Sequence, residues 1–152
     1  QEDLRRSHDA FLLNARKDFS GRIIGLLSCF EKEVLLINGR RYDLSTFHEI
    51  NPEKEGPFAE AGVNMIRAFA REGEWWVALK PGPIGEGDIN LIVEAARRSP
   101  QRPRRCVVIS LQDLDENARV RALQERFWIW NERELQALLD LFGQPGILPV
   151  VV

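Results

Sequence analysis

The chain has 152 residues, 44% of them hydrophobic and 29% charged, with a formal net charge of −2. That length is enough for one domain with a substantial core, and the near-neutral balance excludes a globally basic nucleic-acid binder, so any such surface has to be local. No apolar run approaches the roughly 20 residues of a membrane span, and no targeting segment is evident. The chain opens on Gln1 without an initiator Met, as expected of a fragment of a larger protein or of a processed one. Cys29 and Cys106 sit singly in apolar runs. They are expected to be buried thiols in a reducing cytoplasm, with a disulfide or a metal pair as the alternative.

Residues 1–17 place Leu4, Phe11, Leu12 and Ala15 on one helical face. Residues 19–30 (FSGRIIGLLSCF) fit a buried strand or a short helix, and periodicity alone does not separate the two. Asn38-Gly39 lies between an apolar run and an alternating one, which predicts a tight hairpin turn and two or three antiparallel strands over 20–44. The polar stretch 45–56 reads as a boundary between an N-terminal appendage (1–50, helix and β-hairpin) and a main domain (51–152). Pro57 then opens a predicted helix with Phe58, Val63, Ile66 and Phe69 on its apolar face and Gly73 as its stop.

Strands are predicted for EWWVALK, for DINLIVEA opening on Asp88, and for RCVVISL after the basic loop RRSPQRPRR. Asp113 and Glu116 suit the start of a helix running to about Glu125, and FWIW follows as a fourth strand. Asn131 and Glu134 form an N-x-x-E capping pattern. That helix carries Leu135, Leu138, Leu139 and Phe142, with Gly143 and Pro145 ending it. From residue 57 the expected order is α-β-β-β-α-β-α, an α/β (α+β) sandwich with a mixed sheet. A flavodoxin-like or TIR-like sandwich would need a helix between the second and third strands, and the Pro-containing loop RRSPQRPRR argues against one.

This order and its checkpoint residues over about 57–143 resemble the restriction-endonuclease-like superfamily, the PD-(D/E)xK nucleases, in their Mrr-type form. The family's first helix carries a Glu, matched by Glu60. A Gly-Asp-hydrophobic pattern opens its second strand, matched by Gly87-Asp88-Ile89. Its next strand ends in Glu-x-Lys or Gln-x-Lys, and the matching place is Ser110-Leu111-Gln112. The resemblance implies a metal-dependent phosphodiesterase that binds Mg²⁺ through Glu60 and Asp88. Ser110 and Gln112 depart from that chemistry, because hard cations need carboxylate oxygens and glutamine carries no positive charge.

Each candidate also has a plainer reading. Asp88 suits a turn after glycine, and Glu60 suits the first turn of a helix. Lys80 ends its strand near Asp88 if the two strands pair. Glu94, six residues beyond Asp88, would lie roughly 20 Å along the strand and share no metal with it. Arg97, Arg98, Arg102, Arg104 and Arg105 form the strongest local charge feature. They suit phosphate oxygens or a solvated loop, and Arg40 and Arg41 are candidates to extend that surface. Trp75, Trp76, Trp128 and Trp130 lie in predicted strands and are expected in the core rather than stacked on bases. His8 and His48 have no metal-ligand spacing. No GxxxxGK[ST], GxGxxG or GxSxG occurs, so these residues give no support for P-loop, Rossmann or α/β-hydrolase chemistry.

The leading expectation is a nuclease-like, catalytically incomplete domain of a larger DNA-associated or defence-type protein, acting in nucleic-acid or partner recognition and needing no cofactor. The alternatives are an active Mg²⁺-dependent nuclease using Glu60, Asp88 and Lys80, and an assembly module that makes a homodimer or joins parent domains.

Overall fold

The computed structural model describes residues 19–80, 82–112 and 114–144. The helix expected over 1–17, His8, Asp113 and Pro145 lie outside the described residues. Helix α1 covers residues 19–28. A hairpin follows, β1 (Val34–Ile37) and β2 (Arg40–Asp43), and then β3 (Phe47–Glu53), α2 (Pro57–Glu60), β4 (Asn64–Ala70) and β5 (Gly73–Lys80). The chain continues through α3 (Glu86–Arg98), β6 (Arg105–Ser110), α4 (Glu116–Gln124), β7 (Trp128–Trp130) and α5 (Glu132–Leu141). The main sheet has the order β3-β4-β5-β6-β7, with β3, β4 and β5 antiparallel and β5, β6 and β7 parallel.

The central strand β5 explains the layering. Trp75, Trp76, Val77, Ala78 and Leu79 are all buried, so both faces of the strand need cover. Trp75, Val77 and Leu79 join Val107, Ile109 and Trp130 under α1, the hairpin and α5. Trp76 and Ala78 join Cys106, Val108 and Ile129 under α3 and α4. Phe30 at the end of α1 meets Phe47, Trp75, Trp130 and Phe142, with ring centroids 5.2–6.5 Å apart. The tryptophans are therefore packing residues, three of them buried and Trp128 partly so.

The structure settles one open local reading and corrects three others. Residues 19–28 are helical: Ile23, Leu26, Leu27 and Phe30 recur at helical spacing and are buried on one side. The only strands of the 20–44 stretch are therefore the β1-β2 hairpin, whose Asn38-Gly39 turn has the expected left-handed φ values of 51° and 80°. The polar stretch 45–56 contains an edge strand, β3, with a register shift near Phe47 and with Pro52 where a missing N–H is tolerated. A division between residues 50 and 51 cuts this strand. The helix expected from Pro57 to Gly73 stops at Glu60, because Gly62 takes a left-handed φ of 78° and the chain turns into β4.

The last correction concerns DINLIVEA, which is helix rather than strand. Ile89, Ile92 and Val93 are its buried residues, at i, i+3 and i+4. The order from residue 57 is thus α-β-β-α-β-α-β-α, not α-β-β-β-α-β-α. A helix does separate β5 from β6, but the antiparallel first half of the sheet departs from a fully parallel sandwich. Helix α5 forms as expected, with Asn131 Oδ1 accepting from the Glu134 amide at 3.0 Å and Glu134 Oε2 accepting from the Asn131 amide at 3.1 Å.

Gly87 lies in the first turn of α3, and a Cβ there would meet nothing within 4 Å. Gly87→Ala is therefore expected to stabilise the protein by about 0.5–1 kcal/mol through helix propensity. Urea denaturation checks this, and a loss of stability would contradict a helical α3.

Candidate nucleic-acid interface

The candidate residues divide between the two ends of the parallel strands, separated along β6 by roughly 17 Å at about 3.3 Å per residue. At the C-terminal end, Lys80 closes β5 and Asp88 sits in the first turn of α3. Lys80 Nζ donates to Asp88 Oδ2 at 2.9 Å, and the Gly85 amide donates to the same oxygen at 3.1 Å. Asp88 is thus not the mouth of a strand. It is the acidic residue of a helix start, favoured there by the helix dipole and by the orphan amide of Gly85. The side chains are 25% and 15% exposed, so the pair is shielded from water on most sides.

Of the other residues singled out in sequence, Ser110 lies beside this pair, in register with Lys80 on β6. Glu60 is exposed on α2, and Asp88 takes Lys80 and the Gly85 amide as partners instead. Glu94 is exposed on α3 and pairs with Arg98 at 3.3 Å, one helical turn away. Ser110 is fully buried and donates from Oγ to the Gln112 carbonyl at 2.5 Å, which shapes the loop after β6. Gln112 is exposed and helps line a polar cleft of about 620 Å³ between the end of β6 and the start of α5. Among the described residues, no three His, Cys, Asp or Glu side chains converge as a metal-holding group.

The five candidate arginines lie around the N-terminal end of β6 but do not share one surface. Arg98 turns to Glu94. Arg105 places its guanidinium 3.6 Å from the Trp128 ring centroid and 5.5 Å from that of Trp75. Burial holds the Arg105 guanidinium below its ordinary pKa. Arg97, Arg102, Arg104 and Arg105 line a second cleft of about 350 Å³, together with Glu125 and Arg126. Arg40 and Arg41 lie on the hairpin beyond these elements, and Arg41 pairs with Asp43 at 3.2 Å. His48 is exposed on the edge strand β3.

Arg126 was not legible as a member of this cleft. It lies over twenty positions from the basic loop in sequence, and α4 brings it back. Its φ of 61° is left-handed, at the position after a helix end where glycine is the usual residue.

Cys106 contributes to the cleft wall. Burial pushes its thiol up to about 12, so at neutral pH it is uncharged and a poor nucleophile. Cys29 is also a free thiol and bonds the Gly25 carbonyl and the Gln144 amide, each at 3.3 Å.

Comparison of the chain with protein-family models, curated proteins and solved structures gives no match.

Asp88→Asn would leave the part-buried Lys80 without its counter-charge. A loss of about 1–3 kcal/mol in urea denaturation is expected, and a neutral effect would show the pair to be dispensable. For Cys106, the raised folded-state pKa means that the unfolded chain releases its thiol proton first. The associated stability is full below about pH 9 and falls as pH rises toward about 12. At pH 8 the native protein should accordingly leave Cys106 unmodified by a thiol reagent that labels the denatured chain.

Proposed function

We propose that the chain is a nucleic-acid recognition domain on a nuclease-like frame whose cutting end lacks the carboxylates for metal chemistry. The observation that carries this reading is the end of β5. Leaving aside the β1-β2 hairpin and the single-turn helix α2, the described elements run α1, the antiparallel strands β3, β4 and β5, then α3 and the parallel strand β6. That succession is similar to the α-β-β-β-α-β order of the restriction-endonuclease-like pattern and supports the reading. In this register the second strand opens on Gly62-Val63-Asn64 and the third ends on Ala78-Leu79-Lys80. Lys80 would then be the lysine of Glu-x-Lys, with Ala78 at the carboxylate before it and Val63 at the acidic place after Gly62. Asn64 is in register with Leu79, beside Ala78 and Lys80.

Two apolar side chains cannot replace two anionic ligands for a hard cation. Asp88 supplies one carboxylate, which is already bonded to Lys80 and to the Gly85 amide. The recognition half of the reading draws on the arginines at the other end of β6, whose forks suit phosphate oxygens.

Two measurements test the proposal. With Mg²⁺ or Mn²⁺ present, supercoiled and linear DNA should stay intact. Metal-dependent cutting that disappears in Asp88→Ala would overturn the incomplete-site reading. Fluorescence anisotropy should show oligonucleotide binding that weakens with salt and is largely lost in Arg102→Glu/Arg104→Glu. Affinity unchanged by that double charge reversal would overturn the recognition reading.

A further inference from the structure

Within the recognition reading, and resting on it, we infer that the arginine-lined cleft is a pocket for one terminal phosphate, a phosphomonoester at a strand end, rather than a track for an internal backbone. Shape is the first reason. A phosphodiester backbone is tracked by cations strung along a groove. Here Arg97, Arg102, Arg104, Arg105 and Arg126 line one concavity of about 350 Å³, with the Arg105 guanidinium resting on the Trp128 ring, while Arg98 pairs with Glu94.

Charge is the second reason. The carboxylate in the cleft wall, Glu125, is engaged from outside. Arg121 Nη1 donates to its Oε1 at 2.6 Å, and Arg121 Nε is held by Asn90 Oδ1 at 3.1 Å. Arg97 approaches the same oxygen at 3.6 Å. One carboxylate thus serves two arginines, and the cleft keeps an excess of positive charge. A phosphomonoester carries close to two negative charges at neutral pH, and a diester carries one, so the monoester gains more in such a field.

Backbone is the third reason. Arg126 takes a left-handed φ in the turn that ends α4, where its amide bonds the Leu123 carbonyl, and a residue other than glycine at that position lines the cleft. Cys106 in the wall is a buried neutral thiol, so the pocket holds a phosphate without attacking it.

The test uses short single strands bearing a phosphate at the 5′ or the 3′ end, or hydroxyls at both, at one ionic strength. Anisotropy should give about tenfold tighter binding for a phosphorylated end, with inorganic phosphate and a nucleoside monophosphate competing. Arg102→Ala and Arg126→Gly should each remove the preference, and Arg98→Ala should retain it. Arg126→Gly should do so with an unchanged or raised Tm, which separates lost contact from lost fold. Equal, salt-sensitive affinity for all strands would overturn the end-phosphate pocket and leave nucleic-acid recognition standing. Binding of phosphate and the monophosphate without either kind of strand would keep the pocket and overturn the nucleic-acid reading. No phosphate-dependent binding by any probe would overturn the pocket.

Discussion

The covering of strand β5 on both faces is the constraint from which the rest of the architecture follows. Five consecutive buried residues, Trp75 to Leu79, leave no face for solvent. An antiparallel meander fills one flank, but hairpins alone bring no helices to the faces. The crossovers β5-α3-β6 and β6-α4-β7 supply one layer of helix. Helix α5, joined to β7 through Asn131 alone, packs on the opposite face with α1 and the hairpin. Phe30 ties these pieces together through its contacts with β3, β5, β7 and the end of α5.

The same constraint places the polar chemistry at the ends of strands rather than on the faces. Lys80 is the first position of β5 past its buried run, so it reaches the N-terminal turn of α3 and meets Asp88. Arg105 is the corresponding position at the start of β6, where an aromatic shelf of Trp128 and Trp75 replaces a carboxylate partner. A cation at a sheet end next to packed aromatics buries its stem and keeps favourable electrostatics without a second charge.

What the sequence disclosed depended on how local the signal was. The Asn38-Gly39 turn and the Asn131–Glu134 cap are set by a few adjacent residues, and both formed as read. The four tryptophans read correctly as packing residues because their neighbours are apolar. DINLIVEA misled because Ile, Leu, Ile and Val raise strand propensity, while the spacing of Ile89, Ile92 and Val93 belongs to a helix. Residues 57–73 misled the other way: Pro57 and spaced apolar residues suggest a helix, but Gly62 breaks it and pairing with β3 and β5 overrides propensity. Asp88, expected at the opening of a strand, therefore lies in the first turn of a helix and bonds Lys80. Arg126 needed the path of α4, which no sequence window contains.

The two ends of the parallel strands handle charge in opposite ways. At the C-terminal end, one lysine meets one carboxylate, and the Gly85 amide takes up the same oxygen. An incoming phosphate there would have to displace a short, shielded ion pair before gaining anything from Lys80. At the N-terminal end, five arginines line one cleft whose lining carboxylate, Glu125, is bonded by Arg121 from outside and approached by Arg97. An incoming anion there displaces no tight pair and relieves repulsion already built into the fold. The proposed phosphate pocket thus falls at the end of the sheet remote from Lys80, whose bond to Asp88 fastens the start of α3.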